Sequence, residues 1–361
     1  MKRIAIVYGT RPELIKLVPL ILKMREHPLI SLCIINTGQH MEMVAEIERS
    51  FGIIPNHNLD IMQHNQSLTD ILVNVATAIE SVIKENQFDL MIVQGDTSTA
   101  STVATTCFYN KLEVAHVEAG LRSFNMMEPF PEEFNRKLIS LIASYNFAPT
   151  HHASGNLLKE GVSSEKIYTV GNTIVDMVQM LKGMPGYSES STQKRKILIT
   201  AHRRENHGDG IRNICEAVKT VSQKYPDILF TWPVHPNPNV FEMVTNELGH
   251  VKNVLLTKPL NYLALAKELN ESYLVWTDSG GIQEECPSFK KPVLILRNVT
   301  ERPEVVESGF GIIVGCETEE IVNTTIELLN DESLYQTMIS GNNPFGDGKT
   351  SEAIIKILTG K

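Results

Sequence analysis

From residue 2 to residue 315, short apolar runs alternate with amphipathic helical stretches, and this rhythm leaves few folds open. KRIAIVYG (2–9), LCIINTG (32–38), DLMIVQG (89–95), EVAHVE (113–118) and YNFAPT (145–150) read as strands. Between them, ELIKLVPLILKM (13–24), QHMEMVAEIERSFG (39–52), residues 69–86, the stretch after Asp96 and the stretch after Glu132 read as helices. The strand-like runs are apolar throughout rather than every second residue, as expected of strands covered on both faces. The βα alternation therefore predicts a parallel sheet between helical layers. Pro12 suits the first turn of its helix, whereas Pro19 inside it is expected to bend or interrupt it. KIYTVGNTIVD (166–176) completes the first series.

The segment 181–196, LKGMPGYSESSTQKRK, is rich in Gly, Ser, Pro and charge and reads as a linker. A second βα series follows, with strands in KILITAHR (196–203), ILFTWPVH (228–235), VKNVLLTK (251–258), YLVWTD (273–278), KPVLILR (291–297) and GIIVG (311–315). Its helices are expected at 210–225, 239–249, 262–272 and from Gly280 onward. With 361 residues, two domains are expected rather than one large core. The fold class is thus α/β, with two Rossmann-like domains of parallel sheets facing each other across a cleft. The boundaries are set at 1–170, with the helix 348–361 packing back on it, and 171–347.

Bulk properties narrow the function. A net charge of −9 and a pI near 5.7 disfavour nucleic acid and anionic membrane as partners. The five cysteines, at 33, 107, 215, 286 and 316, are scattered without a CxxC pair, which fits a reducing cytoplasm and suggests neither zinc nor redox work. The N-terminus reads as a first strand rather than a signal peptide, and no apolar run approaches membrane-spanning length. No GxGxxG follows the first strand, where Gly9 stands in GTRPE, so a nicotinamide dehydrogenase is not indicated.

Three acids fall at the ends of predicted elements. Asp96 follows the strand DLMIVQG, Glu118 closes VAHVE, and Glu132 opens the helix after Pro131. In an open parallel sheet, ligands sit at the carboxyl ends of strands, so these carboxylates suit proton transfer in one crevice. Each also has a structural reading: Asp96 as a helix cap before Thr97, Glu132 and Glu133 as answers to a helix N-terminus. An acid directly after a buried strand, like Glu118, needs a partner or a task.

The loops of the second half carry cations and glycines. His202, Arg203 and Arg204 follow ILIT, where cations suit a diphosphate. Ser279-Gly280-Gly281 lies between a strand and a helix, so its backbone N–H groups would meet anionic oxygens. Glu285 is one helical turn further on, within reach of a ribose diol. Arg302 and, from the first half, Arg11 lie in other loops that follow strands; each is a phosphate contact or a structural ion pair.

Taken in order, GTRPE (9–13), GD (95–96), HVEAGLR (116–122), PFPEE (129–133), VGNTIVD (170–176), AHRREN (201–206), PVHPNP (233–238), TDSGGIQEE (277–285), TERPE (300–304) and NPFGDG (343–348) run along nearly the whole chain. Together they resemble the non-hydrolysing UDP-N-acetylglucosamine 2-epimerases of bacteria and archaea. The resemblance implies a GT-B-like pair of domains and interconversion of UDP-GlcNAc and UDP-ManNAc through elimination of UDP and re-addition to 2-acetamidoglucal. By position it assigns Asp96, Glu118, Glu132 and His202 to catalysis, and Arg11, Ser279, Gly280, Gly281, Glu285 and Arg302 to UDP. It places Gln39, His40, Arg203 and His235 at an activator site or in the cleft; Met41 stands where the family often has Arg. It implies no cofactor and no metal, a homodimer, and a supply of ManNAc-type sugars for cell-surface polysaccharide. Competing readings are a modified UDP-HexNAc as substrate, a hydrolysing relative that releases free ManNAc, a GT-B glycosyltransferase, and a catalytically silent nucleotide-sugar sensor.

Overall fold

The computed structural model describes residues 1–39, 41–62, 66–184, 187 and 195–360, and it divides into two compact units, Met1–Met180 with Phe345–Lys361, and Leu181–Pro344. In the first unit the strands are β1 (Lys2–Tyr8), β2 (Ile30–Asn36), β3 (His57–Asn58), β4 (Leu90–Gln94), β5 (Glu113–Val117), β6 (Tyr145–Ala148) and β7 (Ile167–Thr169). They form one parallel sheet in the order β3-β2-β1-β4-β5-β6-β7. Its helices are α1 (Arg11–Glu26), α2 (Met41–Phe51), α3 (Leu68–Glu85), α4 (Ser98–Tyr109), α5 (Glu132–Ile142), α6 (His151–Lys159), α7 (Thr173–Lys182, ending in the second unit) and the last helix of the chain, Thr350–Thr359.

All five residues of β4 are buried, as are Ile4 to Tyr8 of β1, because helices cover both faces. That is why these strands read as continuous apolar runs. Pro19 does not interrupt α1, which runs unbroken for 16 residues. The backbone N–H that proline lacks costs one helical hydrogen bond, and burial of Leu14, Leu17, Val18, Leu20 and Ile21 on the same helix outweighs it.

The unit boundary falls at Met180–Leu181 rather than at 170–171, because the start of α7 is tied to the C-terminal segment. Asp176 accepts from the backbone N–H groups of Thr350 (3.1 Å) and Ser351 (2.7 Å), and the N–H of Asn172 donates to the Phe345 carbonyl at 2.8 Å. Gly171 allows this approach: a Cβ there would meet Thr350 Oγ1 at 2.6 Å, and its φ is +95°.

The second unit repeats the plan. Strands β8 (Lys196–Thr200), β9 (Leu229–Pro233), β10 (Val254–Thr257), β11 (Leu274–Thr277), β12 (Val293–Ile295) and β13 (Gly311–Ile313) form a parallel sheet in the order β10-β9-β8-β11-β12-β13. The helices are α8 (Asp209–Lys224), α9 (Pro238–Leu248), α10 (Tyr262–Glu271), α11 (Gly280–Glu285), α12 (Pro303–Glu307), α13 (Thr318–Asn330) and α14 (Glu332–Ser340); the Thr350–Thr359 helix of the first unit is α15. A core that includes Trp232, Trp276, Phe230 and Ile214 lies between sheet and helices. Among the described residues, no helix is long and apolar enough to cross a membrane.

Candidate active site

In each sheet the strand order reverses at one point, between β1 and β4 and between β8 and β11, and the loops leaving those strands open side by side. In the first unit Glu13 ties the two loops together. Its buried carboxylate accepts from the N–H groups of Gly9 (3.0 Å) and Thr10 (2.7 Å) and from the Thr97 hydroxyl (2.6 Å). Burial raises its pKa despite these donors. The side chain of Arg11, the first residue of α1, has no hydrogen-bond or ion-pair partner among the described residues. On the neighbouring loop, Gln39 accepts from Thr99 Oγ1 at 2.8 Å, and His40 lies outside the described residues.

Asp96 is not the cap of α4. Thr97 is, its side chain accepting from the Ala100 N–H. The Asp96 carboxylate instead takes two N–H groups of Arg136 on one oxygen, from Nε at 2.8 Å and Nη2 at 2.7 Å, and Asn135 holds the Asp96 carbonyl at 2.8 Å. Beneath the turn, His116 donates from Nε2 to the Gly95 carbonyl at 2.7 Å. Desolvation in the sheet pushes its pKa down to about 4, so the ring is neutral and the donor must be Nε2–H.

Glu118 leaves β5 in a left-handed conformation, φ +71°, which turns its side chain into a set of donors. Lys16 of α1 pairs with Glu118 Oε2, and Gln94 Nε2 (3.2 Å) and Asn172 Nδ2 (3.5 Å) face the same oxygen. Glu132 opens α5, and its Oε2 is buried without a hydrogen-bond partner among the described residues. The next residue, Glu133, is fully buried. It accepts from the N–H groups of Ser123 (3.0 Å) and Phe124 (3.2 Å) and pairs with Arg136 Nη1 at 3.3 Å, fixing the loop before α5.

In the second unit, β8 and β11 pair so that Thr200 lies opposite Thr277, which brings His202 beside Asp278. The Asp278 carboxylate accepts from the N–H groups of His202 (2.9 Å) and Arg203 (2.8 Å) and from Asn206 Nδ2 (2.9 Å). The His202 ring stacks on His235 at 5.7 Å and 15°. Burial and the two neighbouring histidines, His202 and His207, hold His235 below its ordinary pKa.

Ser279 precedes α11, and Gly280 is packed so closely that an added Cβ would meet the Arg302 guanidinium at 3.0 Å. That guanidinium pairs with Glu284 at 2.8 Å and Glu301 at 3.5 Å, and Arg203 reaches Glu301 at 3.9 Å. Burial opposes charge on Glu301, but Arg297, Arg302 and Arg203 together hold its pKa down to about 2. Glu285 is buried with the Tyr262 hydroxyl at 3.5 Å.

A family model described as UDP-N-acetylglucosamine 2-epimerase matches residues 22–359. The chain belongs to the UDP-N-acetylglucosamine 2-epimerase family. A UDP-N-acetylglucosamine 2-epimerase of Campylobacter jejuni is 40% identical, with 99% of this chain and 97% of that one covered. Among solved structures, the UDP-GlcNAc 2-epimerase from Neisseria meningitidis bound to UDP-GlcNAc is 38% identical with a TM-score of 0.91, covering 99% of this chain and 100% of that one. The Methanocaldococcus jannaschii enzyme in complex with UDP-GlcNAc and UDP is 35% identical with a TM-score of 0.85 and the same coverage. Members of the family are isomerases, and the likeness extends over both units.

Within this 2-epimerase framework the acids are not alone, and their partners were not singled out from the sequence. Glu13 had a signal, since Thr10-x-x-Glu13 before an apolar helix is a capping pattern. Arg136 had one too, at helical spacing from Glu132 and Glu133. Lys16, Gln94, Asn172, His116 and Asp278 carried none, because each meets its partner through the sheet topology.

Proposed function

We propose that the chain catalyses reversible inversion at C2 of a UDP-linked N-acetylhexosamine, converting UDP-GlcNAc to UDP-ManNAc. The observation that carries this reading is the constellation of Asp96, Glu118 and Glu132 at the carboxyl end of the first sheet, in a chain of the 2-epimerase family. The C2 hydrogen is not next to a carbonyl, so it becomes removable only as the C1–O bond to UDP weakens. A carboxylate takes the C2 proton, the C1–O bond breaks with its electron pair going to UDP, and a C1–C2 double bond forms in 2-acetamidoglucal. Delivery of a proton to the other face of C2 and attack of a UDP oxygen on C1 complete the inversion.

In this scheme Asp96 and Glu132 move the proton and Glu118 orients the sugar. His202, Arg11, Ser279, Gly280 and Gly281 bind the diphosphate, and Glu285 the ribose. Arg302, already engaged with Glu284 and Glu301, supports the Gly280 backbone. Arg203 and His235 flank His202, and Gln39 and His40 border the sugar side or an activator site.

A homodimer is supported by an apolar groove of about 490 Å³ among α3, α4 and α5, where Leu72, Tyr109, Phe130 and Phe134 are exposed. We place the enzyme in the cytoplasm, supplying ManNAc-type sugars for cell-surface polysaccharide.

The test is an NMR time course with UDP-GlcNAc in D2O. UDP-ManNAc carrying deuterium at C2 is expected. Free ManNAc plus UDP would move the chain to the hydrolysing branch, and no reaction on UDP-GlcNAc would exclude it as the substrate.

A further inference from the structure

Asp278 has one more oxygen than its backbone contacts use. Its carboxylate is fully buried, and Oδ2 already accepts all three donors from the His202, Arg203 and Asn206 groups. Oδ1 is buried as well and has no hydrogen-bond partner among the described residues. A carboxylate oxygen left in that state is costly, and native structures satisfy such atoms. The ring nitrogen Nδ1 of His202 lies 3.5 Å from it, beyond a good hydrogen bond but within the reach of a small rotation about the side-chain bonds. His202 is also restrained on two other sides. Its backbone N–H is held by the same carboxylate, and its ring lies flat against His235. The ring is nonetheless 45% exposed, so its remaining edge faces outward.

We propose that Asp278 is a positioning residue for His202: Oδ1 receives Nδ1–H, which orients the ring and supports its doubly protonated form, so that Nε2–H is the donor presented to the substrate's diphosphate. The proposal rests on the reading that His202 contacts that diphosphate. The logic is that of any carboxylate behind a working imidazole, where the acid orients the ring and stabilises the imidazolium without touching substrate. A purely structural role, in which Asp278 only gathers the 202–206 backbone, uses Oδ2 alone and leaves Oδ1 unexplained.

Asp278→Asn separates the two. The amide oxygen can keep all three Oδ2 contacts, whereas its NH2 group would face His202 Nδ1, which must then accept, so the ring is neutral with its one proton on Nε2. Nitrogen-15 spectra of the imidazoles in the UDP complex, with His202 assigned from a His202→Gln variant, read the protonation of both nitrogens directly. The expected result is a proton on each nitrogen in the wild type, on Nε2 alone in Asp278→Asn, and a turnover loss of roughly 10- to 100-fold with UDP affinity changed less.

A wild-type ring without a proton on Nδ1, or the same protonation in both proteins, overturns the proposal. Loss of the Nδ1 proton with wild-type turnover keeps the pairing and instead removes His202 from the reaction, so the two failures are distinguishable. Should Asp278→Asn not fold, the protonation of the wild-type ring alone decides.

Discussion

Replacing Lys16 by Met should destabilise the first unit by about 3 kcal/mol, toward the low end of the ~3–5 kcal/mol cost of breaking a buried ion pair from one side. Both partners are nearly inaccessible, with side-chain exposures of 10% for Lys16 and 7% for Glu118. Methionine keeps the length and apolar stem of lysine but leaves the Glu118 charge to its remaining donors, among them Gln94 and Asn172 at 3.2 and 3.5 Å. Those contacts are long enough to recover only part of the loss. For a domain of this size, the loss corresponds to a fall in melting temperature of about 6–12 °C.

Far-UV circular dichroism follows both units, whereas tryptophan fluorescence follows the second alone, because Trp232 and Trp276 are the chain's two tryptophans. The double variant Lys16→Met/Glu118→Gln should regain most of the stability, since the buried negative charge is gone, but not the activity. A single variant melting within about 2 °C of wild type, or a double variant melting below the single, refutes the reasoning.

Asp96→Asn and Glu132→Gln should each lower turnover by about 10²–10⁴-fold with the fold retained, as judged by circular dichroism; unchanged kcat in either folded variant removes that residue from the scheme. His116, held at about 4 against an ordinary 6.5, takes up its proton later in the folded chain than in the unfolded one. Its contribution is therefore full above pH 6.5 and lost as pH falls toward 4, by up to about 3 kcal/mol, and His116→Gln should flatten the urea midpoint against pH across that window. Glu301 follows the same direction with pH for a different reason, since neighbouring arginines favour its charged form. With its pKa depressed from 4.5 to about 2, it contributes stability above pH 4.5 that fades as pH falls through 2. Tryptophan-monitored unfolding of wild type and Glu301→Gln should differ by about 3 kcal/mol near neutrality and converge by pH 2.

The strands and the loops that leave them were legible because a parallel sheet buried on both faces writes itself as unbroken apolar runs. Asp96 and Glu118 stand out at the ends of such runs for the same reason, and Glu132 at the opening of the helix after Pro131. What holds them was not legible. Lys16 lies 102 residues before Glu118 and sits among the apolar positions of α1, where it reads as one turn of an amphipathic pattern. His116 is hidden inside a strand run, and only the pairing of β4 with β5 brings it to the Gly95 turn. Pro19 was misleading because local propensity counts one lost hydrogen bond and cannot count the apolar surface the rest of α1 buries. Asp96 as a cap failed through competition with a neighbour, since Thr97 offers its hydroxyl to the Ala100 amide and leaves Asp96 for Arg136.

The geometry also ranks the three acids by what their oxygens are already doing. Asp96 Oδ2 is occupied by two N–H groups of one guanidinium, a planar donor that gives up its partner only by moving α5. Glu118 Oε2 is surrounded by Lys16, Gln94 and Asn172. Glu132 Oε2 is buried and has no such donor among the described residues, while its neighbours Glu133 and Arg136 pin the helix that carries it. A lone pair that is desolvated and unengaged is the one best placed to accept a proton from carbon, because no existing hydrogen bond has to break first. Under the proposed scheme Glu132 is therefore the first choice for a carboxylate that takes the C2 proton, and Asp96 would serve the opposite face. Deuterium wash-in from each epimer separately, in Glu132→Gln and Asp96→Asn, reads the two directions apart: each variant should lose exchange from a different epimer, and loss of exchange in Asp96→Asn alone would refute the ranking.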